Sequence, residues 1–258
     1  MQGRRRLEGR VGVITGTASG IGRAGALLFA AEGAAVVTMD TDAEGGQATL
    51  AEIETTGGRG AFLHGDVSVG ADVDRSVKRA IEAFGSLDLL WANASIAVIK
   101  PLVDTSEDEW DHLMAVNVKG AFLLAKYGLP EMVRFGGGTM VVTGSISSFV
   151  GSPLSSAYCT AKGGVLMLTR AIALEYAQQG IRVNCLCPGS TDTNMVQVDL
   201  RSRDLPYEEA VLQDKAAHPL NRWARPEEIA NAALFLSCDE SSFMTGSALM
   251  VDGGFTAQ

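Results

Sequence analysis

The stretch Thr15-Gly16-Thr17-Ala18-Ser19-Gly20-Ile21-Gly22 decides how the rest of the chain is read. It follows the apolar run Arg10–Thr15 and leads into a helical pattern over Ile21–Glu32. Glycine lacks Cβ, so a glycine-rich turn between strand and helix lets the backbone bend sharply and approach a ligand closely. The helix after it offers unpaired N–H groups and the positive end of its dipole to a pyrophosphate. A lone glycine triplet is a weak signal. This one occupies the first strand-to-helix junction of an alternating chain, the place where a dinucleotide fingerprint belongs. Gly16, Ser19, Gly20, Ile21 and Gly22 are the predicted cradle.

Outward from that turn the alternation continues. Strands are predicted at Ala35–Met39, Gly60–His64, Leu87–Trp91, Thr139–Thr143, Ile181–Leu186 and Ala248–Val251. Between them lie helical patterns at Ala43–Thr55, Ala71–Phe84, Glu107–Arg134, Ser155–Gln178 and Pro226–Leu236. Pro226 suits a first helical turn, and Ser106 with Glu109 has the spacing of a capping box. Strand–helix alternation implies α/β architecture: a seven-stranded, mostly parallel sheet with helices on both faces. Right-handed crossovers make a single doubly wound, Rossmann-type domain over residues 1–258 the expectation. The segment Pro188 to Arg225 reads as irregular. It leaves the carboxyl end of a strand, where ligands sit in such sheets, so residues 190–225 are the expected substrate lid.

Asp40 closes the second strand, eighteen residues after Gly22. A carboxylate there accepts hydrogen bonds from adenosine ribose hydroxyls and repels a 2′-phosphate. No arginine stands in the glycine turn or in Thr41–Ala43, so the residues favour NAD over NADP. Asp66-Val67, just past the third strand, is suited to the adenine amino group.

Composition excludes several classes. Of 258 residues, 47% are hydrophobic and 20% charged, too apolar for a disordered chain. A formal net charge of −9 argues against nucleic acid and anionic membrane as partners. The four cysteines form no CxxC pair; Cys185 and Cys187 share one strand face as buried thiols, pointing to a reducing, cytoplasmic setting. Arg4-Arg5-Arg6 reads as a frayed, solvated terminus rather than a targeting signal. His64, His112 and His218 have no metal-ligand spacing, and no metal is expected.

Beyond these residues the chain resembles the short-chain dehydrogenase/reductase family over almost its whole length. The resemblance is carried by Thr15–Gly22, Asp66-Val67, Asn117 within Val116-Asn117-Val118, Ser145, Tyr158-x-x-x-Lys162, Pro188-Gly189-x-x-x-Thr193 and the tail Thr245-Gly246 to Gly254. Ser145 precedes Tyr158 by thirteen residues, and this order makes the short Tyr-x-x-x-Lys pair specific. One departure stands out. The family's Asn-Asn-Ala-Gly is replaced here by Ala92-Asn93-Ala94-Ser95, which bears on local sheet hydrogen bonding and on backbone approach to the cofactor ribose.

The resemblance implies a hydride-transferring oxidoreductase with Asn117, Ser145, Tyr158 and Lys162 as catalytic residues. Tyr158 and Lys162 lie one helical turn apart on one face. The ammonium is expected to lower the tyrosine pKa from its ordinary value near 10 so that the phenol serves as acid and base. Ser145 would donate to the substrate oxygen as charge develops. The resemblance further gives Lys162 the nicotinamide ribose, Asn117 a water linking Lys162 to solvent, and Gly189, Thr191 and Thr193 the nicotinamide carboxamide, with Asn93 and Ala94 also at the cofactor. A substrate of secondary alcohol or ketone type follows. The alternatives are a 3-oxoacyl-thioester reductase, disfavoured by Asp40 and the acidic surface, and a non-catalytic NAD-binding sensor, disfavoured by the retained Tyr158 and Lys162. Phe149, Ile96 and Val98 are placed near the substrate by position. The resemblance also implies a homotetramer formed through Glu107–Arg134, Ser155–Gln178 and the stretch from Met244 to Phe255.

Overall fold

The computed structural model describes residues 5–258. Seven strands form one sheet: β1 (Val11–Thr15), β2 (Ala35–Asp40), β3 (Arg59–His64), β4 (Leu89–Ala92), β5 (Gly138–Thr143), β6 (Ile181–Pro188) and β7 (Ala248–Val251). Their order is β3-β2-β1-β4-β5-β6-β7, and every pairing is parallel. The chain therefore steps to one side after β1 and crosses back to its other side at β4. That reversal opens a crevice at the carboxyl ends of β1 and β4, where doubly wound sheets bind ligands.

The helices are α1 (Gly20–Ala31), α2 (Ala43–Thr55), α3 (Gly70–Phe84), α4 (Glu107–Met114), α5 (Gly120–Arg134), α6 (Ser156–Tyr176), α7 (Asn194–Arg201), α8 (Tyr207–Ala216) and α9 (Pro226–Ser237). Strand side chains alternate between the two faces, so each strand feeds two cores. Leu90, Met140 and Val183 pack with Val77 of α3, Leu124 of α5 and Val165 of α6. Trp91, Val141 and Leu186 pack on the opposite face with Phe29 of α1 and Leu234 of α9.

Several expectations change. The pattern over Glu107–Arg134 is not one uninterrupted α-helix: Ala115–Lys119 widen into a π-turn between α4 and α5, with the Gly120 N–H bonding the Ala115 carbonyl. Such turns recur at functional sites, and this one holds Asn117. Pro188–Arg225 is not irregular, because it contains α7 and α8. Arg6 is not frayed: its backbone N–H and guanidinium both bond Glu32, at 2.9 and 2.8 Å. Arg4 lies outside the described residues. The Ser106–Glu109 capping box, Pro226 in the first turn of α9, and the reduced, buried Cys185 and Cys187 are all present. Among the described residues no helix is long and apolar enough to cross a membrane.

Candidate active site

A single cleft of about 1070 Å³ runs along the carboxyl ends of the strands. Its wall includes Gly16, Ser19, Gly20, Ile21, Asp40, Asp66, Val67, Asn93, Ala94, Ser145, Tyr158, Lys162, Gly189, Thr191 and Thr193. The structure thus gathers the predicted residues from six strand ends. Asn117 and Gly22 are the exceptions, standing behind the wall rather than in it.

The glycines are where backbone approach demands them. Gly16 and Gly20 have φ of +72° and +55°, in the left-handed region that side chains rarely adopt. A Cβ on Gly22 would lie 1.9 Å from the Gly16 carbonyl oxygen and 2.6 Å from Asn93 Nδ2. The turn is thus folded tightly onto β4, leaving its outer side to the cleft. A Cβ on Gly20 would meet Thr193 Cγ2 at 3.1 Å, so the start of α7 reaches across the cleft to the turn.

Asp40 is held by two backbone donors, Ala18 N–H at 2.8 Å and Asp42 N–H at 3.0 Å, and it still lines the cleft. Among the described lining residues the lysines and arginines are Lys162 and Arg203, both remote from Asp40 in the fold's connectivity. Asp66 accepts from the Ser68 N–H and receives no cation. The tight glycine cradle and the carboxylate at the end of β2 fit a dinucleotide.

Asn93, the asparagine kept in the departing stretch, ties β4 to the glycine turn. Its Nδ2 donates to the carbonyls of Thr15 and Gly16 at 3.1 and 3.2 Å, and its backbone N–H donates to Thr15 Oγ1. Ala92 pairs in register with Val142, so the sheet is intact despite the missing asparagine. Ser95, in place of glycine, has its hydroxyl oxygen buried without a hydrogen-bond partner among the described residues.

On α6, Tyr158 and Lys162 point to the same side, with Lys162 Nζ 5.5 Å from the centre of the phenol ring. Lys162 is buried and donates to the Thr143 carbonyl at 2.8 Å. Burial pushes its ammonium down to about 8. Burial also pushes the Tyr158 phenol up to about 12, against a smaller opposing pull from Ser145. The ring is only partly covered, so water in the cleft tempers that rise. Lys162 spends one of its three N–H donors on Thr143, and the expected lowering of the phenol counts on an oxidised nicotinamide as well as on this ammonium. Ser145 Oγ accepts from the Ser147 N–H at 3.1 Å, which leaves its own proton free to donate into the cleft.

Asn117 is 4% exposed and gives both ends of its amide to Ile96, accepting from its N–H and donating to its carbonyl at 2.8 Å each. Its side chain therefore fixes the strand exit beside the cleft. Of the three residues placed near the substrate by position, Ile96 lines the cleft, Phe149 does not and is 49% exposed, and Val98 packs instead around Leu113, Ala157 and Ala161. Phe149 ends the short helical turn Ile146–Ser148 after β5, and Val98 is drawn into the small apolar cluster between α4 and α6.

Sequence reasoning missed the lid's polar face. Arg203 bonds Asp199 at 2.7 Å and Asp214 at 3.2 Å, and Trp223 Nε1 donates to Asp214 at 2.8 Å. His218, 3% exposed, accepts from the Ser190 N–H and donates from Nδ1 to the Asp214 carbonyl, tying α8 to the loop after β6. These contacts join residues across turns whose geometry no local pattern announces. Among the described residues no cluster of His, Cys, Asp and Glu is arranged to hold a metal ion.

Comparison with known proteins places this geometry. A family model described as enoyl-(acyl carrier protein) reductase matches residues 16–256. The chain is 42% identical to a cis-4-hydroxycyclohexanecarboxylate dehydrogenase of Sinomonas cyclohexanicum, covering 96% of this chain and 97% of that protein. It is 40% identical to 2-(S)-hydroxypropyl-CoM dehydrogenase 3 of Xanthobacter autotrophicus, covering 98% of each. Among solved structures, an NAD(P)-dependent gluconate 5-dehydrogenase candidate from Beutenbergia cavernae, holding NADP at low occupancy, superposes with a TM-score of 0.92 at 32% identity, covering 99% of this chain and 100% of that one. With a family model matched over residues 16–256 and relatives matched over nearly the whole chain, the chain belongs to the short-chain dehydrogenase/reductase family and is an oxidoreductase.

Proposed function

We propose that the protein transfers a hydride between NAD(H) and a secondary alcohol or its ketone, with Tyr158 as general acid and base. The observation that carries this reading is that Ser145, Tyr158 and Lys162 line the same cleft as the glycine turn and Asp40. A bound dinucleotide would supply the hydride acceptor when oxidised and the hydride donor when reduced. Ser145 donates to the substrate oxygen. Tyr158 takes the hydroxyl proton in oxidation and returns it in reduction. Lys162 would hold the nicotinamide ribose and place its ammonium charge near the phenol. Gly16, Ser19, Gly20 and Ile21 hold the pyrophosphate, with Gly22 packed behind them to keep the turn tight and Asp66, Val67, Asn93, Ala94, Gly189, Thr191 and Thr193 along the rest of the dinucleotide. Asn117 anchors Ile96 with one donor and one acceptor site of its amide, and serves a water leading from Lys162 with what remains of its hydrogen-bonding capacity.

Asp40, and a cleft lining that among the described residues holds no lysine or arginine besides Lys162 and Arg203, support NAD over NADP, although one structural neighbour binds NADP. The relatives named above act on hydroxyl-bearing small molecules, and the same class is assigned here. Both of those named substrates carry an acidic group. Here Arg203, the lid arginine that lines the cleft, is already taken by two carboxylates, so an uncharged alcohol is the better match. Residues 190–225 act as the lid over it. Free thiols fit a reducing, cytoplasmic compartment. The outward faces of α5 and α6 expose Phe122, Met167 and Leu174, which supports a homotetramer; sedimentation as a monomer rejects that assembly.

The deciding experiment is Tyr158→Phe. Turnover of a panel of secondary alcohols should fall at least roughly a thousandfold while NADH still binds. Wild-type activity in that variant overturns the mechanism. For the cofactor, Asp40→Ala should erode a preference for NADH over NADPH by roughly tenfold or more, through lost ribose bonds and lost repulsion. An unchanged preference overturns the assignment to Asp40.

A further inference from the structure

Trp91 belongs to no motif, yet its indole touches both halves of the site. It is 1% exposed and stacks on Phe29 of α1, with ring centres 5.4 Å apart. It fits only because residue 25 is glycine. A Cβ there would lie 2.1 Å from indole Cζ3 and 2.6 Å from Cη2. From this seat Trp91 Nε1–H donates to Thr143 Oγ1 at 2.9 Å.

The hydrogen bonds beyond Thr143 have a fixed direction. An indole N–H donates only. Thr143 Oγ1 therefore accepts from Trp91 and turns its own proton to Asn93 Oδ1, 3.3 Å away. With that oxygen facing Thr143, Asn93 presents Nδ2 to the Thr15 and Gly16 carbonyls, which only accept. The relay thus ends on the glycine turn, against the face where a Cβ on Gly22 would strike Asn93 Nδ2. Thr143 is also the residue whose carbonyl receives Lys162 Nζ. One threonine is shared between the catalytic lysine and the dinucleotide turn, and Trp91 sets its side chain.

We propose that Trp91 is a positioning residue for the dinucleotide turn, acting through the Thr143–Asn93 relay, with Gly25 as the complement that admits it. The inference rests on the reading of this turn as a dinucleotide site, and the test separates the two.

Trp91→Phe keeps a ring against Gly25 and removes the donor. NADH binding, followed by fluorescence titration, should weaken by roughly three- to tenfold, the size of one buried hydrogen bond. Amide hydrogen exchange over residues 16–22 of the free protein should quicken. Thr143→Val should reproduce both effects, and Thr143→Ser should restore both to wild type. Because both residues act through one relay, the Trp91→Phe/Thr143→Val double variant should bind no worse than the weaker single one. Gly25→Ala, which drives the indole from its seat, should weaken binding in the same direction. If Trp91→Phe does not fold, Thr143→Val and Thr143→Ser carry the test. A fall in melting temperature with unchanged NADH affinity and unchanged exchange makes Trp91 a packing residue only and overturns the proposal, as does full multiplication of the two losses. If wild type binds neither NADH nor NADPH, the dinucleotide reading fails instead, and the exchange measurements alone decide whether the relay holds the turn.

Discussion

The glycine turn and the lid face each other across the cleft and are built on opposite principles. The turn is fixed by backbone: left-handed glycines, carbonyls bonded to Asn93, and a Gly22 whose missing Cβ leaves room for the Gly16 carbonyl. The lid is fixed by side chains, chiefly Arg203 between Asp199 and Asp214 and His218 between Ser190 and Asp214. Between them the strand ends carry Ser145 and Thr143, and α6 brings Tyr158 and Lys162 alongside. The contrast separates what must be common to hydride transfer from what must differ between substrates. A backbone-built cradle tolerates almost no change, whereas a side-chain-built lid can be rewritten one ion pair at a time.

Breaking the turn should therefore cost most. Gly22→Ala places its Cβ into a carbonyl that cannot move without opening β1. It should abolish NADH binding in a titration, or lower it by roughly a hundredfold or more, with a fall in melting temperature typical of overpacking, about 1–3 kcal/mol. Near-normal affinity would show that the turn is softer than its packing indicates.

The lysine between the two regions sharpens the comparison through pH. Its ammonium is held at about 8 against an ordinary 10.5, so the fold disfavours the charged form. At neutral pH that buried charge costs stability, and the cost fades as pH rises from about 8 to 10.5, where the unfolded chain also loses its proton. Lys162→Met should be inactive yet more stable at pH 7, by an amount bounded near 3 kcal/mol, with the gain shrinking toward pH 10.5 in thermal melts. A variant that melts lower than wild type at pH 7 would mean that the Thr143 bond outweighs the desolvation.

The lid should give the smallest effect. Arg203→Leu removes both of its ion pairs, which are about one-third exposed on the arginine side and therefore worth little in stability, roughly 1 kcal/mol or less. The KM for substrate should rise by roughly three- to tenfold while kcat stays within about twofold and NADH affinity is unchanged, because α7 and α8 lose their shared anchor. A loss of kcat with constant KM would place Arg203 in the chemistry rather than in the lid.

Much of this was legible beforehand where the determinants are local. The glycine turn, Asp40 at the end of β2, the capping box at Ser106 and the shared face of Tyr158 and Lys162 follow from spacing and from what each residue type permits. The two lid helices were not, because α7 and α8 are short and Tyr207–Ala216 spreads apolar and charged residues around its whole circumference. The π-turn at Ala115–Lys119 escaped notice for a different reason: its sequence continues a helical pattern, and only the extra residue in one turn points Asn117 at Ile96.

What the sequence by itself determined was the architecture and the set of groups able to move a proton and cradle a dinucleotide, because strand–helix alternation and the absence of a Cβ are constraints written along the chain. The tertiary structure decided which of those groups share a wall, where Lys162 directs its proton, and that Trp91 fits over Gly25 to reach Thr143. Those outcomes join residues far apart in the chain through packing in two dimensions of the sheet, and burial, not residue type, sets the charge each one carries.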